Sequence, residues 1–263
     1  MATGRSRNTR SRQPISRGAL ARFLERPSLE THLQPIYHLG TGHLLGFEAL
    51  SRFPGGGGAL EWIRAAHRFR LIEPFDRVLF HSAMRTFADS ELPGAVFVNL
   101  EARHLDRVTS WLGEMPVAVA RPLVSRRRLV LEVTEREPEP PLGWRAASHE
   151  VREHGPLLAL DDFLCNLRFL RNVRELRPEY VKLDGKVARA LAAASDEGAR
   201  RIDGWLEAAR SSGAVLIGEG IEDPGHARAL RAHGVMFGQG FELGRPARAS
   251  AWRIDRTRAA SAG

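Results

Sequence analysis

The chain has 263 residues, 43% apolar and 27% charged, with a net charge of +8; this composition buries a sizeable core and excludes a mainly disordered chain. Its one cysteine, Cys165, excludes an intrachain disulfide and a cysteine-based zinc site. No apolar run approaches about 18 residues and the N-terminus lacks the apolar stretch of a secretion signal, which excludes a spanning helix and leads us to expect a cytoplasmic protein.

The basic excess is concentrated at one end. Residues 1–18 hold Arg5, Arg7, Arg10, Arg12 and Arg17 and no acid, and removing those five charges from +8 leaves +3. With little to bury, that stretch reads as a solvated, disordered tail, so no specific nucleic-acid binding is expected. Residues 19–253 then form one domain and 254–263 a C-terminal tail. Of the 39 basic residues only Lys182 and Lys186 are lysines, so a lysine in this background invites a chemical explanation.

Along the domain, apolar β-type runs occupy 33–39, 44–50, 96–100, 129–133, 157–160, 180–183, 215–217 and 235–237. Helical spacing occupies 60–71, 75–87, 144–153, 167–176, 202–209 and 226–233. Alternation of this kind predicts a parallel sheet covered by helices, and at about 250 residues an α/β fold closed as a TIM-like (β/α)8 barrel. Only Gly40 to His43 separates the first two runs, too short for a parallel crossover, so they form a hairpin and the first strand runs antiparallel. Gly55 to Gly58 reads as a flexible loop.

In such a barrel the residues at the C-terminal strand ends face the site. The runs end in or near Glu48, Asn99, Glu132 with Glu135, Asp161 with Asp162, Lys182 with Asp184, Glu219 with Glu222, and Gln239. Any one of these alone is more often a solvated strand end, but carboxylates crowded into one mouth repel one another unless cations compensate. Oxygen donors without His or Cys suit Mg²⁺ or Mn²⁺. Asp161 and Asp162 are suited to a pair of ions, and a two-metal site fits phosphodiester hydrolysis with Lys182 as a positive donor beside the attacking water. The ten histidines show no competing ligand spacing.

These residues stand in motifs that resemble the EAL family of cyclic-di-GMP phosphodiesterases. They are Gln34-Pro35-Ile36, Glu48-Ala49-Leu50-Ser51-Arg52, Val98-Asn99-Leu100, Leu131-Glu132-Val133-Thr134-Glu135, Asp161-Asp162-Phe163, Val181-Lys182-Leu183-Asp184, Gly218-Glu219-Gly220-Ile221-Glu222, Gln239-Gly240-Phe241 and Gly244-Arg245-Pro246. The resemblance covers about residues 20–250. It implies that Glu48, Asn99, Glu132, Asp161 and Asp162 bind two Mg²⁺ or Mn²⁺ ions and that Lys182 orients the catalytic water. Glu219 would be a further metal or water contact and Gln239 would help hold the site. Arg52 is implied at a substrate phosphate, Gln34 at a guanine edge, and Glu135 at the loop after the paired aspartates. Cyclic-di-GMP would be the partner, pGpG the product, and a homodimer a possible assembly.

One segment departs from the family pattern. Where the family has a glycine-rich loop, this chain reads Phe163-Leu164-Cys165-Asn166-Leu167-Arg168, so the loop is expected to take another path, with Asn166 a partial substitute at a left-handed position. The alternative to an enzyme is therefore a weak or inactive cyclic-di-GMP sensor; a protein-binding scaffold is a third class. Cys165 reads as a packing residue.

Overall fold

The computed structural model describes residues 14–54, 58–134, 143–163 and 165–253. Much of the expected basic tail (residues 1–13), the expected C-terminal tail and Glu135 lie outside the described residues. So does most of the Gly55–Gly58 stretch.

Nine strands form one sheet: β1 Glu30–His38, β2 Leu44–Arg52, β3 Ala95–Glu101, β4 Leu129–Thr134, β5 Leu157–Phe163, β6 Tyr180–Leu183, β7 Val215–Gly218, β8 Phe237–Gly238 and β9 Ala247–Arg248. Strands β2 through β8 pair in sequence order and in parallel. β1 closes the barrel by pairing antiparallel with β2 on one edge and with β8 on the other, where the short β9 also joins it. The expected hairpin and antiparallel first strand are therefore present, with Gln34 opposite Glu48 and Ile36 opposite Gly46.

Ten helices are described: α1 Arg17–Glu25, α2 Ala59–Arg68, α3 Ile72–Ser90, α4 Val108–Gly113, α5 Val117–Ser125, α6 Trp144–Glu153, α7 Leu167–Leu176, α8 Gly185–Ala193, α9 Asp196–Arg210 and α10 Pro224–Ala232. Several begin at side-chain caps that satisfy backbone N–H groups left open by a first helical turn. Asn166 accepts from Phe169 N at α7, Asp184 from Lys186 N at α8, Ser195 from Gly198 N at α9, and Asp223 from Gly225 N and His226 N at α10.

Four helices escaped the periodicity reading: α1, α4, α5 and α8. The first begins at Arg17, inside the stretch expected to be a tail, because Leu20 and Phe23 give it an apolar face to bury. Phe23 packs with Phe53, Trp62 and Phe75, with ring centroids 5.0 to 5.7 Å apart. Phe53 directly follows Arg52, so this cluster fixes where β2 leaves the barrel.

The barrel interior alternates as pleated strands require. An apolar layer of Ile36, Phe97, Val130, Ala159 and Ile217, with Tyr180 and Phe237 packed against it, fills the middle. Outward-facing residues such as Phe47, Leu131 and Leu160 pack into the larger core shared with the helices.

Candidate active site

One pleat above the apolar layer, every barrel strand contributes a polar side chain. Each stands two residues beyond an interior neighbour on the parallel strands and two residues back on β1. The set is Gln34, Glu48, Asn99, Glu132, Asp161, Lys182, Glu219 and Gln239, with Glu219 and Gln239 just past the ends of β7 and β8. Gly240 shapes the turn that follows Gln239: a Cβ there would meet the Ile221 carbonyl oxygen at 2.1 Å, and Ile221 N donates to Gln239 O.

Lys182 lies at the centre, 1% exposed. Its Nζ is 2.7 Å from Glu219 Oε1, 2.9 Å from Glu132 Oε1, 3.3 Å from Glu48 Oε2 and 3.7 Å from Asp161 Oδ1. Asn99 Nδ2 donates to Glu48 Oε1 at 3.0 Å, and Gln239 Nε2 donates to Glu48 Oε2 and more weakly to Glu219 Oε1. Gln34 Nε2 donates to Gly244 O at 2.9 Å, tying the closing segment to the barrel wall.

One ammonium among four carboxylates leaves an excess of buried negative charge, and the proton affinities follow from it. Burial, with Glu48 beside it, pushes the Glu132 carboxyl well above the usual range. Asp161 is raised by burial together with Glu48 and Asp162, against the pull of Lys182. Burial, partly offset by Lys182, takes Glu219 to about 8. Burial also works against an ionised Glu48, but Lys182 and the Gln239 and Asn99 amides outweigh it and hold that carboxyl below its ordinary value. Lys182 is penalised by burial yet held well above its ordinary value by the four acids.

Residues Asp161, Asp162 and Glu219 offer ligand oxygens that all lie within 4.8 Å of one another, and among the described residues they form the group so arranged. Among the described residues, Glu132 Oε2 and Gln239 Oε1 are buried with no hydrogen-bond partner, and Glu132 Oε1 and Asp161 Oδ1 face the Lys182 ammonium at 2.9 and 3.7 Å. Buried acceptors left in that condition are costly, and here they converge where the negative charge is in excess. The donor set therefore fits hard divalent cations.

Asp162, exposed at the rim, has a left-handed backbone with φ of 62°. Among the described residues of this segment Cys165 is also left-handed (φ 53°). Asn166, where that geometry was expected, is instead extended at φ −136° and caps α7, since its carboxamide satisfies the helix start. Burial pushes the Cys165 thiol up to about 11 and it packs against the core, so it behaves as a packing residue. Asp184 caps α8, and Glu222 is exposed; neither joins the cluster.

A cavity of about 230 Å³ opens beside Glu48 and Asn99, lined also by Arg52, Asp76 and Glu101. Periodicity gave no sign of the last two. Buried Asp76 accepts from His104 Nδ1 at 2.8 Å and from Glu101 N at 3.2 Å, and so fixes the end of β3 that carries Asn99. The signal that would have found this is a lone acid on the buried face of a helix.

The fold and this layer define a TIM-like barrel with an acidic, lysine-centred cluster at its strand ends that could hold a metal ion. The EAL domain model matches residues 17–246, and the chain belongs to the EAL family. It is 28% identical over 227 residues to the probable cyclic di-GMP phosphodiesterase PdeB of Escherichia coli K12, covering 83% of this chain and 42% of that protein. Over 240 residues it is 29% identical to E. coli PdeG, a probable cyclic di-GMP phosphodiesterase, covering 86% and 46%. The chain thus spans less than half the length of these relatives. Among solved structures, the PaMucR phosphodiesterase in complex with c-di-GMP superposes with a TM-score of 0.73 at 24% identity, covering 89% of this chain and 98% of that one. A standalone EAL protein from Vibrio cholerae O395 bound to c-di-GMP gives 0.71 at 20%, covering 84% and 93%. No helix among the described residues is long and apolar enough to cross a membrane.

Proposed function

We propose that this chain hydrolyses cyclic-di-GMP to linear pGpG. The observation that carries the reading is the convergence of Lys182 and four carboxylates in one interior layer, with buried acceptors on Glu132, Asp161 and Gln239 that suit a cation. Glu48, Asn99, Glu132, Asp161 and Asp162 are assigned as ligands for two Mg²⁺ or Mn²⁺ ions, and Glu219 as a further contact to metal or water. When bound, such ions supply a hydroxide near neutral pH and stabilise charge on the entering and leaving oxygens.

The chain's own residues do the rest. Lys182, buried and kept protonated by its acids, donates toward the attacking water and orients it. Gln239 and Asn99 hold both oxygens of Glu48 and so fix its direction. Arg52, exposed and lining the adjoining cavity, is assigned to a substrate phosphate. Gln34, opposite Glu48 on β1, is assigned to a guanine edge, its Nε2 anchored to Gly244 O. Water oxygen joins phosphorus, the P–O3′ bond breaks, and the leaving 3′ oxygen takes up a proton.

The test is incubation of the full chain with cyclic-di-GMP and Mg²⁺ or Mn²⁺, following pGpG by chromatography, with Glu48→Ala as control. Product from the wild type alone supports the assignment. A second reading, a cyclic-di-GMP sensor, is favoured by the glycine-free turn with Cys165 in a left-handed conformation after Asp162. Saturable binding without product would select it, and neither binding nor product would overturn both.

A further inference from the structure

Sequence reading singled out two lysines, and the site uses one. Lys186 stands in the first turn of α8, four residues beyond Lys182, with its side chain 69% exposed. It lines a second cavity, of about 340 Å³, on the opposite side of the acidic layer from the Arg52 cavity. Arg168, Asn166, Asp161, Asp162 and Asp184 share that lining. The acids are largely committed: Asp161 and Asp162 belong to the proposed metal set, and Asp184 Oδ1 accepts from Lys186 N at 2.7 Å as the α8 cap. Among the described residues, Asp184 Oδ2 is the carboxylate oxygen that pairs with the ammonium, at a loose 3.7 Å. The cavity therefore runs from the proposed metal ligands to two cations, one from α7 and one from α8.

We infer that Lys186 and Arg168 form a subsite for the 5′-phosphate that cleavage creates. This rests on the proposed hydrolysis. A phosphodiester carries one negative charge, whereas the phosphomonoester left when the P–O3′ bond breaks carries about −1.5 to −2 near pH 7 and presents three acceptor oxygens. A cationic wall beside the reaction centre therefore gains its attraction as product forms, and distinguishes linear product from cyclic substrate by charge. Retained product would slow turnover at the release step.

The test measures calorimetric binding of pGpG and of GpG, which lacks the 5′-phosphate, to the full chain in Mg²⁺. Wild type, Lys186→Gln, Arg168→Gln and the charge-retaining Lys186→Arg are compared, and equal melting temperatures verify that all are folded. Each charge removal is expected to weaken pGpG about tenfold, the size of one charge-assisted hydrogen bond, and to leave GpG unchanged, while Lys186→Arg keeps wild-type pGpG affinity. Unchanged pGpG affinity in both charge-removing variants, or an equal loss for GpG, would overturn the subsite. A wild type that binds cyclic-di-GMP but takes pGpG no better than GpG also overturns it while leaving the proposed function standing. A wild type that binds none of the three overturns both.

Discussion

Val130 and Glu132 stand two residues apart on β4, point into the same barrel interior and are both fully buried. One belongs to a layer that stabilises the barrel, the other to a layer that costs it stability. Val130 packs in a cluster of apolar side chains, where burial is favourable at about 25 cal/mol per Å². At Glu132 four carboxylates share one ammonium, which meets its Oε1 at 2.9 Å, and its Oε2 is buried with no hydrogen-bond partner among the described residues. A charge buried without full compensation is destabilising, so the proposed metal ions would account for the upper layer, with the layer beneath holding it in place.

The contrast predicts two kinds of damage. Phe97→Ala, in the apolar layer, should lower stability by about 3–5 kcal/mol through loss of burial and the cavity left behind, seen as a large drop in melting temperature with or without metal. Glu48→Ala should reduce pGpG formation at least about 100-fold, more than the loss of an outer contact to a metal ligand, while the chelated protein melts within a few degrees of wild type. If Glu48→Ala unfolds the protein as Phe97→Ala does, the upper layer is structural and the distinction fails.

Metal should repair the upper layer and leave the lower one untouched. At about 100 times its dissociation constant, Mg²⁺ or Mn²⁺ adds about 2.7 kcal/mol, several degrees of melting temperature, and Glu132→Gln should lose most of that gain. The sign of the pH dependence follows from Glu219, whose folded pKa of about 8 exceeds the ordinary 4.5. A carboxyl raised on folding favours the folded state at low pH, and that contribution disappears as pH climbs from about 4.5 to about 8. The chelated protein should therefore lose stability across that window, and the metal-loaded protein, whose ions displace those protons, should lose less. Thermal melts in EDTA and in Mg²⁺ at several pH values check this.

How much of this was legible in the sequence follows the same division. Apolar runs located all eight barrel strands because these strands are buried both toward the interior and toward the helices and so read as near-continuous apolar segments, and the four-residue gap before Leu44 gave the antiparallel first strand. Polar strand ends gave Glu48, Glu132, Asp161, Lys182 and Glu219 because a polar residue inside an apolar run stands out. Asp76 was not legible, since its role depends on His104 and Glu101 arriving from β3 and the turn after it. Nor was α1, whose arginines masked a face of only Leu20 and Phe23. Backbone sign in the segment after Asp162 was misplaced by one residue, because the α7 cap competes for the same asparagine that turn chemistry favours.

That cap gives the smallest effect and the sharpest check on how the rim is held. Asn166 Oδ1 accepts from Phe169 N at 2.9 Å, and Phe169 is buried in the core just inside the α7 start. Asn166→Ala should cost about 1 kcal/mol, which for a chain of this size is about 2–4 °C, whereas Asn166→Asp, which keeps an acceptor, should stay near wild type. Because the cap fixes α7 four residues after Asp162, Asn166→Ala should also weaken metal binding by a few-fold, read by titrating Mn²⁺, while Phe97→Ala variants that remain folded bind metal normally. Equal loss of metal affinity in Asn166→Ala and Asn166→Asp would show that the side chain acts on the site directly and that the cap is incidental.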